Sequence, residues 1–166
     1  MSIRVLIVDD HTLFREGLCA LFSSERDVEV VGEAAGGEEA VRKALELRPD
    51  VVVMDLMMPG ANGIEATRRI RAALPEARVL VLSMYDDEEH VQRLLAGGAS
   101  GYMLKRATSD ELVRALKEVV AGGMPLDPAV AAKVVKDYVR RVQGETEPEA
   151  GPELTPRELE VLRLVA

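Results

Sequence analysis

The stretch IRVLIVDD, residues 3–10, decides how the rest of the chain is interpreted. Five of its first six residues are apolar, as expected for a short strand covered on both faces of a sheet. Two adjacent acids, Asp9 and Asp10, follow directly. Because a buried strand that ends on a pair of like charges is unfavourable in isolation, the pattern favours a functional site at the strand's end.

The same kind of apolar run recurs along the chain. The predicted strands are Ile3–Val8, Val28–Val31, Val51–Met54, Val79–Leu82 and Gly101–Leu104. The segments between and after them carry apolar residues every three to four positions, which is typical of amphipathic helices. The last of these helices follows TSDE, a capping box with Thr108 as N-cap and Glu111 three residues later. Strands that alternate with helices predict an α/β fold with a parallel sheet.

The composition changes after residue 122. Asp127 and Pro128 are typical of an N-cap and a first helical turn, and they predict a linker helix that ends near Val142. Residues 143–152 are acidic and rich in Pro and Gly, which favours a flexible linker. A further amphipathic helix is predicted after Leu154, with Thr155 as its N-cap and Pro156 in its first turn. We therefore expect an α/β domain over 1–122, a linker over 123–152 and the start of another domain over 153–166.

The linker helix has an apolar stripe from Val130 to Tyr138 whose partner the sequence does not identify. The stripe fits packing on the α/β domain, pairing with another chain, or contact with the following domain. The last two interpretations are preferred at this point.

The bulk composition excludes several classes of function. The chain has 166 residues, of which 48% are apolar and 30% charged, as in ordinary globular proteins. A net charge of −8 and the absence of Trp argue against nucleic-acid binding by this segment alone. No apolar run is long enough to span a membrane, and the N-terminus lacks a signal-peptide pattern. The single cysteine, Cys19, fits a reducing cytoplasm.

Polar residues stand at several of the predicted strand ends. In a parallel sheet of order 2-1-3-4-5, strands one and three are neighbours, and ligands bind beyond the carboxyl ends. Asp55 ends the third strand, so it should meet Asp9 and Asp10. Clustered carboxylates favour a hard cation such as Mg²⁺. Ser83 and Lys105 end the fourth and fifth strands and add the hydroxyl and ammonium that phosphoryl transfer uses.

These five positions, in this order, resemble the motif of the receiver domain of two-component response regulators. The subfamily indicated is the NarL/FixJ group, which carries a LuxR-type helix-turn-helix output domain. The resemblance runs from Ile3 to about Gly122 and resumes at Leu154. It implies a (βα)5 flavodoxin-like receiver, then a linker helix, then the beginning of an all-α helix-turn-helix domain.

The resemblance also implies a role for each motif residue. Asp55 is the implied phosphoacceptor, and Mg²⁺ is held by Asp9, Asp10, Asp55 and the backbone carbonyl of Met57. Lys105 and Ser83 contact the phosphoryl group, and Ser83 and Tyr102 form the conformational switch. In the loop MMPGANG after the acceptor, Pro59 and Gly63 shape the turn.

The implied function is that of a cytoplasmic switch protein rather than an enzyme, with only slow autophosphorylation and autodephosphorylation. A sensor histidine kinase phosphorylates Asp55, and the changed conformation controls a DNA-binding transcription output. The expected partners are the kinase, a second copy when phosphorylated, and DNA through the full-length output domain. No membrane contact is expected, and this chain contains no DNA-binding residues of its own.

Ordinary interpretations stand beside these roles. An acid pair after a strand is usually a solvated turn, Tyr102 fits a packed aromatic residue, and Cys19 fits an inert core thiol. His11 could ligate a metal, although a surface or capping role is the commoner one.

Three alternative functions compete with the switch. An aspartate-nucleophile phosphatase needs a second acid two residues after the nucleophile, where this chain has Met57. A flavin module needs a Ser/Thr/Gly phosphate loop after the first strand, where this chain reads DDHTLF. A degenerate receiver that is never phosphorylated is the third.

Overall fold

The computed structural model describes residues 2–56, 58, 63–84 and 88–143, apart from the side chains of 88–90 and 141. Strands and helices alternate as predicted. The elements are β1 (Ile3–Val8), α1 (Thr12–Ser23), β2 (Val28–Ala34), α2 (Gly37–Leu47), β3 (Val51–Asp55), α3 (Gly63–Ala73), β4 (Arg78–Ser83), α4 (Glu88–Ala96), β5 (Gly101–Leu104), α5 (Ser109–Val120) and α6 (Pro128–Val142). The strands form one parallel sheet of order β2-β1-β3-β4-β5, which confirms the predicted (βα)5 flavodoxin-like topology.

The register of the central strands sets where their ends lie. Val8 on β1 is level with Met54 on β3, so the next residues of each chain segment, Asp9 and Asp55, lie side by side. Asp55 is in turn level with Leu82 on β4, one residue before Ser83. The parallel register therefore places the polar residues at one edge of the sheet.

The two faces of the sheet carry separate apolar clusters. One face is covered by α1 and α5, with Leu18, Phe22 and Leu116 fully or nearly buried. The other face is covered by α2, α3, α4 and α6. Helices on both faces explain why the strands are nearly continuous apolar runs instead of alternating ones.

The linker helix α6 packs on the α/β domain of its own chain. Val130 and Val134, 0% and 8% exposed, lie in the same apolar cluster as Leu94 of α4. Of the three interpretations of the apolar stripe, the structure shows the one that was not preferred. The sequence could show that α6 has a face to bury, but not which surface buries it.

The segment before α6 extends the edge of the sheet. The amide of Tyr102 donates to the carbonyl of Pro125, and the amide of Asp127 donates to the carbonyl of Tyr102, both at 2.9 Å. Gly101 allows this approach, because a Cβ there would lie 2.9 Å from Pro125. We call Tyr102 together with residues 124–134 the linker edge.

Two predicted helix starts are confirmed by their capping bonds. The Thr108 side chain accepts from the amide of Glu111, and the Glu111 carboxylate accepts from the amide of Thr108. The bond from the Thr108 amide holds the pKa of Glu111 below its usual value. Asp127 caps α6, because its Oδ1 accepts from the amide of Ala129 at 3.0 Å.

No helix within residues 2–56, 63–84 and 88–143 is both long and apolar enough to cross a membrane. Apart from residue 143, the predicted acidic linker over 143–152 lies outside the described residues, as does the predicted helix capped by Thr155.

Candidate functional site

The ends of β1 and β3 bring three carboxylates together. Asp9 and Asp55 are 1% and 4% exposed, whereas the side chain of Asp10 is 28% exposed. One ligand atom from each of these residues, and one from His11, all lie within 4.8 Å of one another. We call Asp9, Asp10 and Asp55 the acidic cluster. The structure thus confirms the prediction that the three acids lie close together.

Lys105 reaches the acidic cluster from the end of β5. Its Nζ lies 2.9 Å from Oδ2 of Asp9 and 3.4 Å from Oδ1 of Asp55. The same ammonium lies 4.6 Å from the centre of the Phe14 ring, a distance that allows a cation–π interaction. The side chain is only 11% exposed, so this charge is held at the site instead of moving freely in solvent.

Ser83 is buried at the adjacent strand end, at 1% exposure. Its carbonyl accepts from the amide of Lys105 at 2.8 Å, which ties the end of β4 to the end of β5. The structure therefore places Ser83 at the same edge as Asp55 and Lys105. Its contact with a phosphoryl group stays a prediction.

Tyr102 lies further from the acidic cluster than the strand-end residues. It is level with Val81, whereas Ser83 is level with Leu104. The residue is 0% exposed and belongs to the apolar cluster on the face of α4 and α6. Its complete burial is explained by the linker edge, because the segment before α6 pairs with the backbone of Tyr102. The switch role of Tyr102 is a prediction that this arrangement does not test.

The loop after β3 is only partly described. Met57, the predicted carbonyl ligand, and Pro59 lie outside the described residues. Gly63 begins α3 directly against β3, because a Cβ there would lie 2.4 Å from the carbonyl oxygen of Asp55 and 2.8 Å from Cα of Leu56. A glycine is therefore required for the helix to start so close to the predicted acceptor.

Arg15 also contacts the site, a role that the sequence analysis did not predict. Its Nη1 donates to the backbone carbonyl of Asp9 at 2.6 Å, and its Nε donates to Glu33 Oε1 at 3.0 Å. The guanidinium thus clamps the turn between β1 and α1 against the end of β2. The sequence feature that could have indicated this role is the position of Arg15 one helical turn after His11. Many surface arginines share such spacing, so the feature is weak.

His11 and Cys19 are the two residues for which ordinary structural roles are expected. His11 is the N-cap residue of α1, but its side chain makes no capping bond and its Nδ1 lies 3.2 Å from Oδ1 of Asp9. Cys19 is half-buried on α1, and burial, helped by Glu33, raises the pKa of its thiol to about 11. The thiol is therefore protonated at neutral pH, in keeping with the inert role.

The acidic cluster has the donor chemistry of a divalent cation site. Three carboxylates within a few ångströms repel one another, and Lys105 contributes a single positive charge against them. Burial of Asp9 and Asp55 increases the cost of that imbalance. A hard divalent ion held by oxygen atoms of Asp9, Asp10 and Asp55 would remove it.

Comparison with known proteins places this geometry in a family. The family model described as the response regulator receiver domain matches residues 5–117. The transcriptional regulatory protein DegU of Brevibacillus brevis is 42% identical over 177 residues, which cover 99% of this chain and 75% of DegU.

Solved structures agree with that match. The crystal structure of a LuxR-family two-component response regulator from Aurantimonas sp. SI85-9A1 aligns with a TM-score of 0.79 and 39% identity, covering 84% of this chain and 99% of that one. The signal receiver domain of NarL from Mycobacterium tuberculosis aligns with a TM-score of 0.70 and 38% identity, covering 73% and 98% of the two chains.

The fold and the strand-end residues define a receiver-type switch domain. The chain belongs to the family of response regulator receiver domains, with relatives of the LuxR and NarL type over nearly its whole length. Its function is therefore that of a two-component response regulator, which is phosphorylation-controlled regulation of transcription. This result favours the phosphorylation-controlled switch over the phosphatase and flavin alternatives.

Proposed function

We propose that Asp55 is the residue that accepts the phosphoryl group and that Mg²⁺ binds beside it. The observation that carries the proposal is the position of Asp55 at the end of β3, with Asp9 alongside and the Lys105 ammonium 3.4 Å from its Oδ1. The ligands proposed for Mg²⁺ are carboxylate oxygens of Asp9, Asp10 and Asp55 and the carbonyl of Met57.

The proposed reaction is an in-line transfer from a phosphohistidine of the kinase. A carboxylate oxygen of Asp55 attacks phosphorus and forms the new P–O bond, while the P–N bond breaks and its electron pair returns to the departing imidazole. Lys105 moves from Asp9 towards the transferred group and pairs with one phosphoryl oxygen. Mg²⁺ held by Asp9, Asp10 and Asp55 would supply further neutralisation of the phosphoryl charge.

The proposed switch follows from the new acceptors at Asp55. The Ser83 hydroxyl donates to a phosphoryl oxygen, which draws the end of β4 towards the site. Tyr102 on the neighbouring strand then changes its packing against α4, and the population shifts to a second conformation. No catalytic group beyond those named is proposed. The domain therefore acts as a switch whose own phosphorylation and dephosphorylation are slow.

The proposed partners follow from family membership. A sensor histidine kinase is the phosphoryl donor, and the phosphorylated chain forms a homodimer. DNA is bound through the full-length output domain and not by this segment, whose net charge is −8. Because the partners are a kinase's phosphorylated histidine and chromosomal DNA, the proposed location is the cytoplasm.

The first prediction tests the acceptor. After incubation with acetyl phosphate and Mg²⁺, intact-mass spectrometry should show a gain of one phosphoryl group, and Asp55→Asn should abolish it. Asp110→Asn, at an exposed acid in the first turn of α5, is the matched control and should be labelled like the unsubstituted chain. Labelling that persists in Asp55→Asn would assign the acceptor to another residue.

A further inference from the structure

The helix α6 carries a second apolar stripe, on the side turned away from the α/β domain. Val135, Val139 and Val142 are 38%, 42% and 57% exposed, and Ala132, one turn before Val135, is exposed as well. We call these four residues the outer seam. Single apolar residues on a surface are ordinary, whereas a continuous line of them marks an interaction surface.

The spacing of the outer seam is that of a coiled coil. Its four residues are separated by three, four and three positions, so they occupy the a and d positions of successive heptads. Val130 and Val134, which pack on the α/β domain, occupy the f and c positions on the other side of the helix. A line restricted to a and d is the contact of one helix with another helix, whereas packing on a broader surface uses a wider stripe.

The occupant that these observations favour is α6 of a second copy of the chain. An a/d line is self-complementary, because the same residues meet across a two-fold axis. In a parallel pair, Lys136 at the e position faces the second copy's Ala131 at the g position, so these positions bring no like charges together. We infer that two copies pair through their outer seams, with the two α6 helices parallel.

This inference rests on the homodimer of the proposed function and names the surface that forms it. Four small side chains from each copy bury less than the roughly 1,200 Å² of a stable interface, so the seam alone pairs weakly. Its pairing is therefore open to control from elsewhere in the domain. Because α6 packs on α4 and the segment before it pairs with the backbone of Tyr102, a change at the proposed switch reaches the outer seam.

The second prediction compares two valines of equal exposure. Val139→Glu puts a charge into the outer seam, whereas Val120→Glu puts the same charge on α5, where the valine is also 42% exposed. After incubation with acetyl phosphate and Mg²⁺, sedimentation velocity should show a dimer of the unsubstituted chain. The dimer Kd should rise at least about tenfold in Val139→Glu, because the carboxylate would have to be buried, and change less than about twofold in Val120→Glu.

Disulfide crosslinking tests the parallel helix pair directly. Under mild oxidation, phosphorylated Val139→Cys should form a covalent dimer, because equivalent a positions of two parallel helices face each other. Val120→Cys is the matched control. It should give no more covalent dimer than the unsubstituted chain, in which Cys19 sets the background.

Intact mass reports the labelling of Asp55 in each chain, so the outcomes can be separated. Equal dimerisation of labelled Val139→Glu and the labelled unsubstituted chain would overturn the outer seam and leave the proposed homodimer intact. A labelled unsubstituted chain that stays monomeric would overturn both, and would leave a segment of the same chain as the occupant of the seam. Loss of the dimer in Val120→Glu alone would assign the interface to α5.

Discussion

The acidic cluster and the linker edge are dominated by opposite kinds of interaction, repulsion between charges in the first and apolar burial in the second. At the acidic cluster, three carboxylates share one region with the Lys105 ammonium, and two of them are almost completely buried. At the linker edge, Val130 and Val134 bury apolar side chains, and both the amide and the carbonyl of Tyr102 are hydrogen-bonded to the segment before α6. The first region stores electrostatic repulsion, whereas the second contributes ordinary folding free energy.

This contrast shows where the molecule gives up stability for function. Repulsion among carboxylates costs free energy in the folded chain until a cation or a phosphoryl-linked rearrangement relieves it. The linker edge has no such cost, because apolar burial and paired backbone groups are favourable without a ligand. Substitutions in the two regions should therefore change the free energy of unfolding in opposite directions.

The largest effect is expected at the linker edge. Val130→Ala removes two buried methyl groups and should lower the free energy of unfolding by about 2 kcal/mol, measured by urea denaturation. Val135→Ala is the matched control on the same helix, because its side chain is 38% exposed, and it should cost less than about 0.5 kcal/mol. Equal effects of the two substitutions would mean that α6 does not pack on the receiver in solution.

A change of opposite sign is expected at the acidic cluster. Asp10→Asn removes one of three neighbouring negative charges and should raise the free energy of unfolding by roughly 1 kcal/mol in the presence of a chelator. Asp10 is the suitable site because its side chain is 28% exposed, so the amide keeps access to water.

Addition of Mg²⁺ should reverse that ranking. The unsubstituted chain gains stability from a ligand that binds only the folded state, whereas Asp10→Asn has lost one of the proposed ligands. Thermal unfolding with and without Mg²⁺ measures both effects. If Asp10→Asn were less stable than the unsubstituted chain in chelator, the repulsion argued for this region would be absent.

The two regions also differ in how far the sequence predicts them. The meeting of Asp9, Asp10 and Asp55 follows from strand order and register, which the apolar runs and the acids at their ends already indicate. Lys105 follows from the same rule at the end of β5. Parallel-sheet geometry is general, so residues at strand ends can be placed without knowledge of individual side chains.

Contacts that depend on side-chain direction or on an unspecified partner were not predictable. The bond from Arg15 to the carbonyl of Asp9 needs a particular rotamer, which spacing alone does not give. The apolar stripe of α6 shows that something must cover it, but several surfaces satisfy that need equally. The complete burial of Tyr102 follows from the same packing, so it could not be read from the sequence either.

The smallest predicted effect tests whether charge contributes at the linker edge. Arg106 Nη2 lies 3.6 Å from Oδ1 of Asp127, but the arginine side chain is 69% exposed and solvent screens the pair. Arg106→Gln should therefore lower the free energy of unfolding by less than about 0.5 kcal/mol. Asp127→Ala also removes the N-cap bond to Ala129 and should cost about 1 kcal/mol in the same urea titration. A larger loss for Arg106→Gln than for Asp127→Ala would show that the linker edge, like the acidic cluster, is governed by charge, and the contrast between the two regions would fail.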